Sequence, residues 1–250
     1  MGMSRVLGFM RKADNEFNLI KDGDKIAVGI SGGKDSIVLL AALRLYKFYS
    51  KKNYDIIGIH IKMGFEGMDF SNVIKYCKEN DIEFHLEDSN PPIYKVLQMN
   101  LTNSNKLSCS ICSRMKKAAI NAAAHKHNCN KVAFAHHADD AVETLFLNAI
   151  YGGRLATFKP RMYLSNTELD FIRPFIYVRE KDIQKTCDEL NLPLVISTCP
   201  NDKTTKRQEI KNLLDNIYKQ YPDAKENFLS MLSNIEQLEL WDKDKYGESE

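Results

Sequence analysis

The apolar run Ile26-Ala27-Val28-Gly29-Ile30 passes straight into Ser31-Gly32-Gly33-Lys34-Asp35-Ser36, and a helical pattern follows from Ser36 to Tyr49. This succession restricts the fold more than any other part of the chain. A strand that is apolar on both faces must be covered on both faces. A strand that turns through two glycines into a helix is the opening of a β-loop-α unit. Further strand patterns lie at Ile56–Ile61, Ile82–Leu86 and Lys131–Ala135, separated by helical patterns at Phe70–Asn80 and Cys112–Lys126. Strands alternating with helices predict an α/β fold: a doubly wound parallel sheet covered by helices on both sides.

The flanks are helical. Val6, Phe9, Met10, Ala13, Phe17 and Ile20 recur at helical spacing and predict an N-terminal helix, and Asp22-Gly23-Asp24 turns the chain into the first strand. Beyond Asp139 the sequence predicts a helix over Asp140–Tyr151 stopped by Gly152-Gly153, and another over Arg179–Leu190. A short apolar stretch, Pro193–Ile196, precedes two amphipathic helices at Thr204–Tyr218 and Lys225–Trp241, with Pro222 between them. The charged tail, Asp242–Glu250, reads as frayed. The expected division is a sheet domain over residues 1–198 and a C-terminal helical extension over 199–250.

With 44% hydrophobic residues, the chain can bury a core without disulfide support. No apolar run approaches the roughly 20 residues of a membrane span, and the N-terminus carries acids rather than a signal-peptide core. A cytoplasmic location with no membrane partner is the expectation. Its six cysteines then suggest metal or redox chemistry wherever they cluster. A net charge of +2 does not announce a nucleic-acid binder, although charge distribution counts for more than the total.

Two adjacent glycines let a backbone approach a ligand closely, and the amides opening the next helix form an anion site. Ser31 and Ser36 offer hydroxyls, Lys34 a positive charge, and Asp35 a carboxylate for magnesium. The spacing differs from the Walker A loop. A plain glycine turn is the competing reading of the two glycines alone. His136-His137-Ala138-Asp139-Asp140 ends a strand and starts a helix, where open α/β sheets bind ligands. Helix capping is the plainer role for these aspartates, Asp139 above all. Cys109 and Cys112, at a predicted helix start followed by Arg114, Lys116 and Lys117, are spaced to reach one metal as favoured thiolates. Zinc, redox dithiol, cluster and simple packing all remain open on the pair alone. A third ligand must come from elsewhere, and Cys199, before Pro200, is the candidate. Cys77, Cys129 and Cys187 read as packing residues.

Ser31-Gly32-Gly33-Lys34-Asp35-Ser36 resembles the loop of the N-type ATP pyrophosphatase (PP-loop) superfamily, whose members have an adenine nucleotide alpha hydrolase-like fold and transfer AMP to a substrate oxygen. Asp14 to Asp24, Cys109-Ser110-Ile111-Cys112-Ser113-Arg114, the His136–Asp140 string, Thr144 to Asn148, Tyr151-Gly152-Gly153-Arg154 and Arg173-Pro174 with Val178 to Ile183 are similar to the tRNA 2-thiocytidine synthetases within it. The resemblance runs to about Lys211. It implies ATP and Mg2+ on Ser31 to Ser36, with Asp140 and the backbone at His60, Ile61 and Ala135 facing the nucleotide. It implies Lys116 as a basic residue steadying the adenylate. It also implies a 4Fe-4S cluster on Cys109, Cys112 and Cys199, although Pro200-Asn201-Asp202 stands where many relatives carry another cysteine.

The expected activity is tRNA thiolation at cytidine, with uridine as the near alternative and a homodimer as the expected assembly. Sulfur would come as sulfide or as a persulfide from a cysteine desulfurase. A lysidine-type synthetase and a metal-stabilised RNA-binding protein without turnover are the rival readings. The three cysteines speak against the first, because amine chemistry needs no cluster. Arg154, Lys159, Arg161, Lys203, Lys206, Arg207 and Lys211 are candidates for phosphate contacts, which position RNA without reading it.

Overall fold

The computed structural model describes residues 2–101, 107–199, 205–237 and 240. The first strand, β1 (Lys25–Gly29), pairs in parallel with β2 (Asp55–Lys62) on one side and β4 (Lys131–Ala133) on the other. The six strands lie in the order β3-β2-β1-β4-β6-β5, with β3 at Glu83–Asp88, β5 at Arg161–Leu164 and β6 at Leu169–Ile172. Five run parallel; the edge strand β5 is antiparallel to β6. The winding reverses between β1 and β4, so a crevice opens beyond the carboxyl ends of those two strands.

Alternation along β1 fixes the layers. Ile26 and Val28 face one core, shared with α1 (Gly2–Phe17), α2 (Lys34–Ser50), α3 (Ser71–Glu79) and α7 (Glu180–Glu189). Ala27 faces the other, with Ile57 and Ile59 of β2, α4 (Ile93–Met99) and α5 (Cys109–Lys126). A third, smaller cluster joins Val142 of α6 (Ala138–Gly152) to Ile210 and Leu214 of α8 (Lys206–Gln220), with Phe228 of α9 (Ala224–Ser230) beside them. Burying each such side chain contributes roughly 1.5–3 kcal/mol. This small contact sets α8 across the mouth of the crevice.

The expected parallel sheet and most of the expected helices are present; the differences are local. The expected strand at Lys131–Ala135 ends at Ala133, where the chain leaves the sheet for the crevice. The β5–β6 hairpin and α4 were not expected. Both hairpin strands are four residues long, and the buried Asp170 interrupts the apolar pattern of β6; Arg161 neutralises it through bonds of 3.1 and 2.7 Å. The single helix expected at Lys225–Trp241 stops at Ser230. There Ser233 Oγ donates to the Ser230 carbonyl, and Asn234 pairs with Gln237, so side chains compete with the helix for local bonds. A short 3₁₀ turn follows at Ile235–Gln237; Trp241 and the charged tail lie outside the described residues. The glycine stop after α6 is present at Gly153, whose φ is +58°. Among the described residues no helix is long and apolar enough to cross a membrane.

Candidate active site

The crevice holds a cavity of about 770 Å³. Ser31, Gly33 and Asp35 form one end of its wall; Cys109, Cys112 and Cys199 line it too, together with Lys116 and Asp140.

The loop is braced by its own serines. Ser36 Oγ, which is buried, donates to the Gly33 carbonyl at 2.9 Å, and Ser31 N–H reaches Ser36 Oγ at 3.2 Å. Gly33 N–H donates to Ser31 Oγ at 3.3 Å. Ser36 therefore shapes the loop rather than facing the cavity. Gly32 adopts φ +91°, and a Cβ there would fall 2.7 Å from Val195 Cβ, while Val195 N–H donates to the Gly32 carbonyl at 2.9 Å. Gly33 is the N-cap of α2 and has no side-chain capping bond, which leaves the first amides of α2 open to an anion. A Cβ on Gly33 would meet only Ser31 Oγ, at 3.6 Å. Of the two glycines, the first accommodates the fold and the second keeps the approach to the helix clear.

Lys34 is placed differently from its expected role. Its ammonium turns to Glu180 at 3.0 Å and Asp35 at 3.3 Å, and it lines a smaller adjoining cavity of about 300 Å³. Lys211 Nζ holds the other Glu180 oxygen at 2.6 Å. Burial alone would raise the Glu180 pKa, but the bonds from Lys211 and Lys34 outweigh it and hold the carboxyl at about 2. For Lys34, burial works against the charge, yet Asp35 and Glu180 keep its pKa above the ordinary lysine value. Asp35 Oδ1 is buried with no hydrogen-bond donor aligned on it, the Lys34 ammonium notwithstanding. Burial raises the Asp35 pKa, with His137 and Lys34 opposing.

On the far side of β1, Phe134 and His136 line the cavity, whereas Ala135 between them packs against the core. The sequence reading placed His136 in the string at the ligand-facing strand end but gave it no role. Its place just beyond the carboxyl end of β4 is the signal that would have found it. Burial, with nearby cations, drives its pKa down to about 4, so it is a neutral imidazole, and its Nδ1 has no partner. Asp140 both caps and faces the cavity: it completes a capping box with His137 and meets Arg207 Nη1 at 3.3 Å. Asp139 turns away. Its carboxylate accepts the Glu180 N–H at 2.7 Å, capping α7 across space instead of α6.

On β2 the His60 ring bonds the Ile30 carbonyl through Nδ1 at 2.8 Å and lies against Phe70. The Ile59 carbonyl accepts from Ile30 N–H. Alternation then turns the Ile61 backbone the same way, into the space beyond the end of β1. Ile61 thus offers main-chain groups to the cavity, whereas the main chain of His60 faces β3.

Cys109 and Cys112 sit three apart in the first turn of α5, on one face, behind a Ser108 cap. Cys199 comes from the irregular segment before α8. Cys112 does not match the expectation of a favoured thiolate. Burial raises its pKa, Lys116 opposes, and Cys199 and Cys109 add to the rise. The three sulfurs do not close on a single ion. Among the described residues the donor group lying within 4.8 Å of one another is Glu83, His85 and His127. A tetrahedral zinc with bonds of about 2.3 Å needs sulfurs roughly 3.8 Å apart, whereas a cluster offers a separate iron to each thiolate and suits a wider set.

The basic candidates divide. Arg207 bonds Asp140, Glu143 and Thr144 at 3.3, 3.1 and 3.2 Å, so it and Lys211 belong to the cavity wall. Arg161 is committed to Asp170. Arg154, Lys159 and Lys206 are exposed, and Lys203 lies outside the described residues. Glu143 and Glu180 also line the cavity and were not expected.

A parallel α/β sheet with an anion loop at its switch point, and three thiols around the same cavity, defines a nucleotide-binding protein built for transfer chemistry. The PP-loop domain profile matches residues 7–217, and the chain belongs to that family. It is 34% identical over 235 residues to the tRNA-cytidine(32) 2-sulfurtransferase of Geobacter metallireducens, covering 93% of this chain and 90% of that protein. The protein of the same name from Geobacter sulfurreducens is 36% identical over 233 residues, covering 92% and 90%. Among solved structures, a U34-tRNA thiolase from Methanococcus maripaludis with its 4Fe-4S cluster superposes with a TM-score of 0.69. The identity there is 24%, over 93% of this chain and 79% of that one, and it establishes a shared fold.

Proposed function

We propose that this chain is an ATP-dependent tRNA sulfurtransferase that converts a cytidine to 2-thiocytidine in the cytoplasm. The observation that carries the reading is the shared cavity, lined both by an open helix N-terminus for phosphate and by three cysteines. The relatives at 34% and 36% identity support cytidine as the base.

ATP lies with its phosphates on the loop and the amides of α2, and its adenine against the Ile61 backbone. Asp35, a half-buried carboxylate whose Oδ1 is buried without an aligned hydrogen-bond donor, is suited to hold Mg2+. The base oxygen attacks the α-phosphorus, an O–P bond forms, and the bond to the β-phosphate oxygen breaks to release pyrophosphate. Loop amides stabilise the charge gathering on the phosphates, and a bound Mg2+ would add to that stabilisation. Sulfide then adds to the carbon bearing the adenylate, AMP departs with the former base oxygen, and the sulfhydryl proton passes to solvent. Cys109, Cys112 and Cys199 would hold a 4Fe-4S cluster, which would supply a site where sulfur can bind. Lys116, lining the cavity one turn after Cys112, faces the adenylate phosphate. Asp140 is fixed by its capping box and Arg207, and serves as a positioning residue beside the nucleotide. Exposed Arg154, Lys159 and Lys206 contact the tRNA backbone, and a homodimer is the working assembly. The sulfur donor is sulfide, delivered directly or released when an external thiol reduces the S–S bond of a desulfurase persulfide and is itself oxidised to a disulfide.

Nucleoside mass spectrometry of tRNA from cells lacking this chain tests the reading. Loss of 2-thiocytidine, restored by the intact gene, is expected. Loss of 2-thiouridine would move the target base, and an unchanged profile refutes thiolation.

A further inference from the structure

On the exposed edge of the sheet, Glu83, His85 and Glu87 occupy alternate positions of β3 and stand on one face. Opposite them is the C-terminal end of α5, where His127 is the capping residue. The His85 and His127 rings stack with centroids 3.7 Å apart and planes inclined by 23°. His85 Nε2 lies 2.7 Å from Glu83 Oε1, and His127 Nε2 lies 2.7 Å from Glu87 Oε1. Glu87 also receives Lys126 Nζ at 3.0 and 2.8 Å. One donor atom from each of Glu83, His85 and His127 falls within 4.8 Å of the other two. None of these residues lines the cavity of the proposed active site.

Two imidazoles and a carboxylate are a donor set that suits zinc when water completes the tetrahedron. A carboxylate bonded to the ring of a ligating histidine is the usual outer partner of such a site. Glu87 is so placed for His127, and Lys126 keeps it in position. The donors come from two elements, so an ion here would tie the last paired strand to the end of α5. The opposite end of that helix carries Cys109 and Cys112. We propose that Glu83, His85 and His127 form a zinc site that pins α5 to the edge strand, with Glu87 orienting His127.

The test uses the full chain with Cys109, Cys112 and Cys199 all changed to Ser, titrated with Co2+ as a spectroscopic probe and then with Zn2+. The expected result is one Co2+ per chain with an absorption spectrum of nitrogen and oxygen ligands, displaced by Zn2+, and a Zn2+-dependent rise in Tm. H85A and H127A each abolish the uptake and the rise while keeping the Tm measured in chelator. E87Q weakens binding by roughly 10- to 100-fold. Absence of Co2+ uptake, thiolate charge-transfer bands, or uptake unchanged in H85A and H127A overturns the site. An affinity unaffected by E87Q overturns its orienting role.

Discussion

The two ends of the cavity are built by opposite means. At the phosphate end, consecutive residues from Ser31 to Ser36 sit between the central strand and a buried helix, and their own bonds hold them. At the thiol end, Cys109 and Cys112 come from the start of α5 and Cys199 from irregular chain before α8. Cys109 is exposed, and the other two are half-buried. The first end is shaped by main chain before any ligand arrives. The second draws its sulfurs from two separate segments, with Cys112 packed against the second core, and the proposed cluster would join them. Preorganised electrostatics and the proposed metal-dependent assembly thus meet in one cavity.

The contrast is sharpest at the cysteines. C109S, C112S and C199S should each lower thiolation by at least about 10³-fold, as expected of parts acting as one unit. Nucleotide affinity should change less than about threefold, because the loop stands independently. Single-turnover thiolation and equilibrium ATP binding on the same preparations check both halves. A cysteine variant that also lost ATP binding would break the separation between the two ends.

At the phosphate end, D35N is expected to slow pyrophosphate release by roughly 10²- to 10³-fold, the cost of removing one charge-stabilising contact. Its Tm should hold or rise, since the burial that raises the Asp35 pKa penalises the charged form. The paired glycines give a smaller and more diagnostic effect. G32A forces a Cβ to 2.7 Å from Val195 at a φ of +91° and should cost roughly 1–3 kcal/mol of stability, read by denaturant unfolding. G33A should stay within about 0.5 kcal/mol while weakening ATP binding. Equal stability losses would show that the two positions do not divide the work.

The smallest effect concerns Glu180. Its folded pKa of about 2 lies below the ordinary 4.5, so its stabilisation is complete above that ordinary value and is lost as pH falls toward 2. E180Q should flatten the acid limb of the stability profile. At pH 7 it should cost about 1 kcal/mol or less, because the Lys34 and Lys211 bonds are partly screened by solvent. An unaltered slope between pH 5 and 2 would remove Glu180 from the network.

The same contrast explains what could be read from the sequence. Ser31–Ser36 was legible because its chemistry is contiguous and lies on the strand-loop-helix unit that defines the sheet. The pair Cys109 and Cys112 was legible through helical spacing, whereas Cys199 needed family resemblance to be joined to it. Arg207 read as a surface cation because its bonds to Asp140 and Glu143 depend on α8 packing through Ile210 and Leu214 onto Val142. Lys34 read as a phosphate ligand because Glu180, far along the chain, gives no local sign that it will claim the ammonium. The β5–β6 hairpin was hidden by Asp170, whose burial makes sense only beside Arg161. Helix α4 spans seven residues, too few for a periodic signal.

The most direct measurement is 2-thiocytidine formed on unmodified tRNA by the anaerobically reconstituted chain given ATP, Mg2+ and sulfide, quantified together with AMP. One AMP for each sulfur incorporated is the expected result, with neither formed on tRNA lacking the target cytidine. Pyrophosphate release without sulfur incorporation, or equal thiolation by the C109S/C112S/C199S variant, would contradict the account.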